Sequence, residues 1–191
     1  MSSRFVTPID KEVTFGTEQI IVSKTDLKGV ITYANKVFSD VCGFQPSELI
    51  GKPHSIIRHP EFPGGVFKLL WDTIQADQEI FAYVKNMAKD GSFYWVLAHV
   101  SPVHDFDGNI VGYHSSRRCP SREAIAEIEP LYAQMLAEER KHSRKIDAAA
   151  ASLDLVVGIL TEAGITYDQF VWDLIDRTSH DGREVGRARV A

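Results

Sequence analysis

The segment 51–63, which reads GKPHSIIRHPEFP, constrains the fold of this 191-residue chain more than any other. Pro53, Pro60 and Pro63 fix φ and remove backbone donors, so neither a long helix nor a central strand can run through it. Apolar runs that can supply a core lie on both sides. We therefore predict an irregular loop whose polar side chains, Arg58 and two histidines, could line a ligand pocket.

The segments around this loop predict two strands, then short helices, then three longer strands. The β-rich segments 20–25 and 30–33 are joined by a turn, DLKG. Short helices are predicted over 34–41 and 46–50, and an amphipathic helix over 65–74. Strands are predicted over 79–86, 93–100 and 110–116, the first two joined by a KDG turn. This order describes an α+β fold, in which a five-stranded antiparallel sheet carries its helices on one side.

From Ser121 the sequence becomes rich in Ala, Glu, Lys and Arg, and its apolar residues recur at helical spacing. Ser121 is a predicted N-cap, and Pro130 is expected to end or kink the first helix near Glu129. Further helices are predicted around 153–160 and after Thr166. We divide the chain into an N-terminal arm or cap (1–18), a central domain (19–119) and a C-terminal helical region (120–191) with a flexible tail after Arg177.

The bulk properties exclude several classes of function. A net charge of −5 and the lack of a basic stripe argue against nucleic-acid binding. No apolar run approaches the ~20 residues that cross a bilayer, and the N-terminus lacks a signal-peptide core. Cys42 and Cys119 form no CxxC pair, which argues against a disulfide framework or zinc site. No catalytic constellation stands out. We expect a cytoplasmic protein without direct membrane insertion that is not an enzyme.

The predicted order of elements resembles the PAS sensor fold. Two stretches look like the general PAS pattern, DLKGVITYAN at 26–35 and GFQPSELIG at 43–51. More particular motifs are PHSIIRHPEFP at 53–63, VKN at 84–86 with KDG at 89–91, and YWV at 94–96. These resemble the PAS domain of bacterial aerotaxis receptors over about residues 10–140. Glu61 and Phe81 stand where that family usually has Asp and Trp.

The resemblance implies a sensor that binds FAD non-covalently and reports redox state. It associates five residues with the flavin site: Asn35, Arg58, His59, Trp71 and Asn86. A planar guanidinium such as that of Arg58 can bind a pyrophosphate bidentately. Asn86 can offer both a donor and an acceptor to the polar edge of the flavin, and it or Ser115 could reorient when the redox state changes.

Two other readings of the sequence remain open. His54 or His59 could ligate the iron of a non-covalent haem b, which would make the protein a gas sensor. Alternatively, the aromatic residues could simply fill the core of a cofactor-free PAS interaction module. Flavin–cysteinyl light sensing is disfavoured because the loop 51–63 contains no cysteine.

The chain is expected to signal through contacts with a separate transducer or chemoreceptor, in aerotaxis or energy taxis. The apolar faces predicted at 125–135 and 153–175 could form a homodimer or bind the transducer. They could equally fold back and cover the sheet of their own domain. The sequence does not distinguish these arrangements.

Overall fold

The computed structural model describes residues 6–178, which form one antiparallel sheet with helices on both faces. The five strands within this range are β1 (Ile21–Thr25), β2 (Ile31–Ala34), β3 (Ile80–Met87), β4 (Phe93–His104) and β5 (Ile110–Arg118). They are hydrogen-bonded in the order β2-β1-β5-β4-β3. The α-helices are α1 (Lys36–Cys42), α2 (Pro46–Leu49), α3 (Gly64–Gln75), α4 (Arg122–Glu139), α5 (Lys145–Glu162) and α6 (Tyr167–Thr178), and a short 3-10 helix spans His54–Ile57. The predicted sheet and C-terminal helices are confirmed.

Local signals fix the ends of several helices. Asn35 caps α1, because its Oδ1 accepts a hydrogen bond from Phe38 N at 3.0 Å. Gly43 ends this helix with φ 72°, a left-handed conformation that glycine adopts without strain. Ser121 caps α4 as predicted, accepting from Ala124 N at 3.1 Å.

Pro130 lies inside α4, which runs on to Glu139, so the expected helix end near Glu129 is not observed. The buried side chains of Ile128, Tyr132 and Met135 extend over both sides of the proline. Their packing offsets the ~3 kcal/mol that an interior proline typically costs a helix.

The start of α6 also agrees with the sequence. Thr166 Oγ1 accepts from Gln169 N at 3.2 Å, and Gln169 Oε1 accepts from Thr166 N at 2.8 Å. This reciprocal pair satisfies two backbone donors that have no partner inside the helix. The flexible tail predicted after Arg177 lies, beyond Thr178, outside the described residues.

The described part of the N-terminal arm runs beside the start of β4. Val13 N donates to Phe93 O at 2.7 Å, and Phe93 N donates to Lys11 O at 2.9 Å. Ile9 N donates to Gly91 O, also at 2.9 Å. These bonds tie the arm to the turn between β3 and β4.

The C-terminal helices fold back onto their own chain. Neighbouring residues of β4 face opposite sides of the sheet, and Trp95 points away from α3. Its ring stacks on Tyr132 of α4, with centroids 6.3 Å apart, and the Tyr132 hydroxyl donates to Tyr83 O at 2.7 Å. Trp172 of α6 contacts Phe81 of β3 at 4.8 Å between centroids. The C-terminal helices α4 and α6 therefore cover the face of the sheet opposite to α3.

Helix α5 packs directly on α3. A Cβ atom built on Gly65 would lie 2.8 Å from Leu153 N and 3.0 Å from Ala149 O, so glycine is what allows the two backbones to approach. Glu139 bridges the same junction, since its Oε1 accepts from Gly65 N at 3.1 Å and from Ser152 Oγ at 2.6 Å. Helices α3 and α5 are therefore in direct contact at this junction.

Within the described range, no single helix has the length and apolar character needed to cross a membrane. The pair formed by α5 and α6 meets that test only when taken together, and it is bent by 71°.

Candidate functional site

A cavity of about 250 Å³ lies between the sheet and α3. Alternate residues of part of β3 and of part of β4 face it, as the period of a strand requires. Its apolar walls come from Leu70 and Ile74 of α3 and from Val84, Val96, Ala98 and Val100 of the sheet. This lining suits an apolar ligand that presents a few polar atoms at its edges.

Three polar side chains meet in the buried part of this cavity. A guanidinium nitrogen of Arg117, Nη2, donates to Ser23 Oγ, which in turn lies 3.1 Å from His54 Nε2. Because the Ser23 hydroxyl already accepts from Arg117, its own proton is best donated to Nε2, which leaves His54 neutral and protonated on Nδ1. Burial, together with the charge of Arg117, lowers the pKa of His54 from 6.5 to about 3.

Arg117 is a buried cation without an acidic partner among the described residues. It is 2% exposed, and its Nε and Nη1 atoms have no hydrogen-bond partner in the described part of the chain. Its guanidinium lies 4.6 Å from the centroid of the Phe38 ring. Burial lowers the pKa of Arg117 to about 10, so it remains charged at neutral pH. Burial also raises the pKa values of Cys42 and Tyr94, so these neighbours stay neutral.

Arg58 stands at the solvent-exposed end of the cavity. Its guanidinium lies 3.6 Å from the centroid of the Phe67 ring, a cation–π contact that holds the side chain across the entrance. A backbone bridge between Arg58 and Asn86 ties the proline-rich loop to β3. Burial lowers the pKa of Arg58, and the negative charge of Glu139 opposes that shift.

Asn86 and Trp71 also line the cavity. The Asn86 side chain is buried, and none of the side-chain hydrogen bonds within residues 6–178 involves its amide. Trp71 meets Tyr113 edge to face, with centroids 5.6 Å apart. Gly29 leaves room for the same indole, because a Cβ there would lie 3.0 Å from two of its atoms. The loop before β2 thus holds Trp71 at the wall.

Two of the five predicted site residues lie apart from the cavity lining. Asn35 uses its amide for structure, accepting from Val22 N at 3.0 Å and donating to Ile20 O at 2.8 Å. His59 turns away from Arg58 to meet the ring of Phe93, whose side chain lies on the opposite face of the sheet. Arg58, Trp71 and Asn86 are therefore the predicted residues that the fold brings together, and Ser115 joins them.

The sequence did not indicate Arg117 or Ser23. It suggested His54 as a pocket-lining residue of the loop and as a haem ligand, but not its contact with Ser23. The alternation of β5 carried a signal for Arg117. Tyr113, Ser115 and Arg117 occupy every second position, so a strand that turns Ser115 towards the cavity turns Arg117 there as well.

A second, open crevice of about 1000 Å³ adjoins the cavity and shares Arg58, Phe67 and Trp71 with it. It lies between α3 and the connection from α4 to α5. Arg140 of that connection and Lys145, the first residue of α5, line it and are exposed to solvent. A ligand that fills the cavity and extends past Arg58 would enter this crevice.

Metal-ligating and cysteine side chains are not gathered at the cavity. Among residues 6–178, no group of three or more His, Cys, Asp or Glu side chains is placed to hold a metal ion. Cys42 is buried on α1 and Cys119 follows β5, and neither lines the cavity. His54 is the one histidine of the described residues in the lining, and its Nε2 is engaged by Ser23.

The sheet order β2-β1-β5-β4-β3, with α3 packed over one face and a cavity beneath it, is consistent with the family match. Residues 31–117 match the family model described as PAS fold. Residues 31–117 of the chain are therefore similar to the PAS family.

Among characterised proteins, this chain is similar to the aerotaxis receptor of Escherichia coli K12, with 41% identity over 112 residues. That match covers 59% of this chain and 22% of the receptor, so the chain spans about a fifth of that relative's length.

Solved structures give the same fold. A light-oxygen-voltage domain studied with a flavin analogue has a TM-score of 0.52 at 21% identity, over 60% of this chain and 87% of that one. The light state of the blue-light photoreceptor Aureochrome1 LOV has a TM-score of 0.50 at 25% identity, over 64% of this chain and 91% of that one. At 21% identity, the similarity to the first of these structures shows a common fold and nothing about function.

Proposed function

We propose that this chain is a cytoplasmic redox or oxygen sensor whose PAS cavity binds a flavin and which is not itself an enzyme. The observation that carries the proposal is the cavity itself. Its apolar walls suit an aromatic ring system, while Asn86 and Arg117 offer hydrogen-bonding groups with unused capacity. Similarity to an aerotaxis receptor and to a blue-light photoreceptor LOV domain supports a flavin as the ligand.

A bound flavin would supply reversible one- and two-electron redox chemistry. In this proposal Trp71 lies against the ring and Asn86 binds its polar edge. Arg58 binds phosphate at the entrance. Asn35 belongs to the site indirectly, because it secures β1 to α1. His59 secures the loop that carries Arg58 and also lines the crevice beyond it.

We further propose that the flavin is FAD rather than FMN. The crevice beyond Arg58 gives the adenosine part of FAD a place to lie, and the cationic side chains of Arg140 and Lys145 suit its second phosphate. FMN ends at one phosphate, which Arg58 alone could bind.

The signal would leave through α3 and α5. Helix α3 supplies a wall of the cavity, and its Gly65 contacts α5 while Glu139 bridges the two helices. A shift of α3 on a change of redox state would move α5 and alter its exposed surface, which includes Ile146. We propose that this surface contacts a separate transducer or chemoreceptor in aerotaxis or energy taxis, or a second copy of the chain.

The absorption spectrum of the purified chain tests the cofactor, with the released chromophore identified by chromatography. FAD is expected. A Soret band would instead favour the haem b sensor, and a colourless, folded protein that cannot be reconstituted with flavin would favour the cofactor-free interaction module.

Replacing both Arg140 and Lys145 with alanine tests whether the crevice binds the part of FAD that FMN lacks. We expect affinity for FAD to fall about tenfold and affinity for FMN to stay unchanged. Arg144→Ala is the matched control, because Arg144 lies on the same connection but outside the crevice and pairs with Asp147. Equal losses for FAD and FMN would contradict the assignment of the crevice.

A further inference from the structure

Arg117 carries a positive charge that the fold does not compensate. No salt bridge within residues 6–178 involves it, although exposed cations such as Lys36 and Arg122 find carboxylates. Removing a charge from water without a partner is unfavourable, and proteins rarely retain such a charge unless something binds to it. The stability of the fold therefore does not explain why a charged guanidinium is buried at this position.

The groups around Arg117 cannot supply the missing negative charge. Ser23 is a neutral hydroxyl and Phe38 offers only the face of its ring. His54 is neutral, because its Nε2 accepts a hydrogen bond from the Ser23 hydroxyl. The two remaining neighbours, the Cys42 thiol and the Tyr94 hydroxyl, are enclosed by the same apolar shell.

The side chain of Arg117 belongs to the lining of the cavity, and its Nε and Nη1 atoms are enclosed by protein. Arg117 is one of the side chains that line it, and Ser23 and His54 hold the guanidinium there through the chain of donors from Nη2 to Ser23 and from Ser23 to Nε2. This leaves Nε and Nη1 as unused donors. A ligand that enters the cavity with an electron-rich edge foremost would satisfy them.

We propose that Arg117 is a ligand-binding residue that donates to the carbonyl-bearing pyrimidine edge of the flavin ring. The inference rests on the proposed function, because it takes the ligand to be a flavin. It fixes the direction of binding. The carbonyl edge points inward to Arg117, and the phosphate-bearing chain points outward to Arg58. The two arginines thus recognise different parts of one ligand.

Three flavins separate these roles: riboflavin, which has no phosphate, FMN and FAD. Each is titrated into apoprotein prepared from the full chain. Arg117→Met should lower the affinity for all three by a similar factor of about ten or more, because each carries the same ring. Arg58→Met should weaken FMN and FAD and leave riboflavin unchanged. Arg118→Met is the matched control, since Arg118 is the exposed next residue of β5, and it should change none of the three.

Stability of the apoprotein provides an independent readout. If Arg117 serves the ligand rather than the fold, apo Arg117→Met should melt at the same temperature as the unsubstituted apoprotein or higher, because methionine removes a buried unpaired charge. Arg117→Gln, which can still donate to Ser23, serves if the methionine variant does not fold.

Several outcomes would overturn the inference. Riboflavin affinity retained within twofold in both Arg117 variants would refute it, and a loss confined to FMN and FAD would make Arg117 a phosphate ligand instead. A chain that binds none of the three flavins would remove the proposed function, and this inference with it. If the unsubstituted chain bound flavin and the Arg117 variants bound it equally well, the inference would be wrong and the proposed function would stand.

Discussion

Replacing Gly65 with alanine would probe the contact between α3, which lines the cavity, and α5, which lies outside the matched residues 31–117. The new Cβ would lie 2.8 Å from Leu153 N and 3.0 Å from Ala149 O. Both are backbone atoms, so relief requires the two helices to move apart. Overpacking of this kind costs about 1–3 kcal/mol, against a gain in helix propensity of at most about 1 kcal/mol. We expect a net loss of about 1–2 kcal/mol in the free energy of unfolding.

Gly158→Ala in α5 is the matched control, because a Cβ at Gly158 meets no atom within 4 Å. That substitution should stabilise the protein by up to about 1 kcal/mol. For a chain of this size, Gly65→Ala should lower the melting temperature by roughly 2–8 °C, while Gly158→Ala should raise it. Thermal melts and urea titrations measure both. If Gly65→Ala stabilised the protein as much as Gly158→Ala does, α5 could not be packed against α3 as described.

The remaining predictions concern the sheet, the inner cluster and the cysteines. Tyr132→Phe should cost about 1 kcal/mol in urea denaturation, because the buried carbonyl of Tyr83 loses a donor; an unchanged midpoint would contradict this. The pKa of His54 is about 3 when folded and 6.5 when unfolded, so its contribution to stability is complete above pH 6.5 and is lost as the pH falls towards 3. His54→Gln should flatten that part of the pH profile, and an unaltered slope would count against the neutral imidazole. Blue light should form no lasting flavin–sulfur adduct, since Cys42 and Cys119 lie outside the cavity lining; a bleached flavin band that recovers in the dark would show otherwise.

The sequence predicted those parts of the fold that depend on local chemistry. Gly43 at the end of α1 and Ser121 at the start of α4 act through backbone conformation and a single cap hydrogen bond, which a short sequence window contains. Pro130 shows the limit of such reasoning. Its cost is local, but the packing that offsets it comes from distant strands that a helix pattern does not reveal.

The candidate site likewise contains residues that the sequence predicted and one that it did not. The resemblance brought forward Arg58, Trp71 and Asn86, which meet at one cavity. It missed Arg117, because an arginine near the end of a strand is usually an exposed side chain. Only the pairing of β1 with β5 places Arg117 beside Ser23 and away from solvent. That juxtaposition joins residues 94 positions apart in the chain, so no local pattern encodes it.

The two arginines differ in a way that bears on how the protein could sense. Arg58 is exposed to solvent, so water can stabilise its charge whether or not a ligand is bound. Arg117 is enclosed, so its charge depends on what occupies the cavity. Negative charge that develops at the inner edge of the ligand would therefore be stabilised by Arg117 more strongly than the same charge near Arg58 would be stabilised by Arg58. The cavity wall that must adjust to such a change includes α3, which contacts α5 through Gly65. In the proposed function, a change at the buried cation would therefore reach the C-terminal helices through α3, which lines the same cavity and contacts α5 at Gly65.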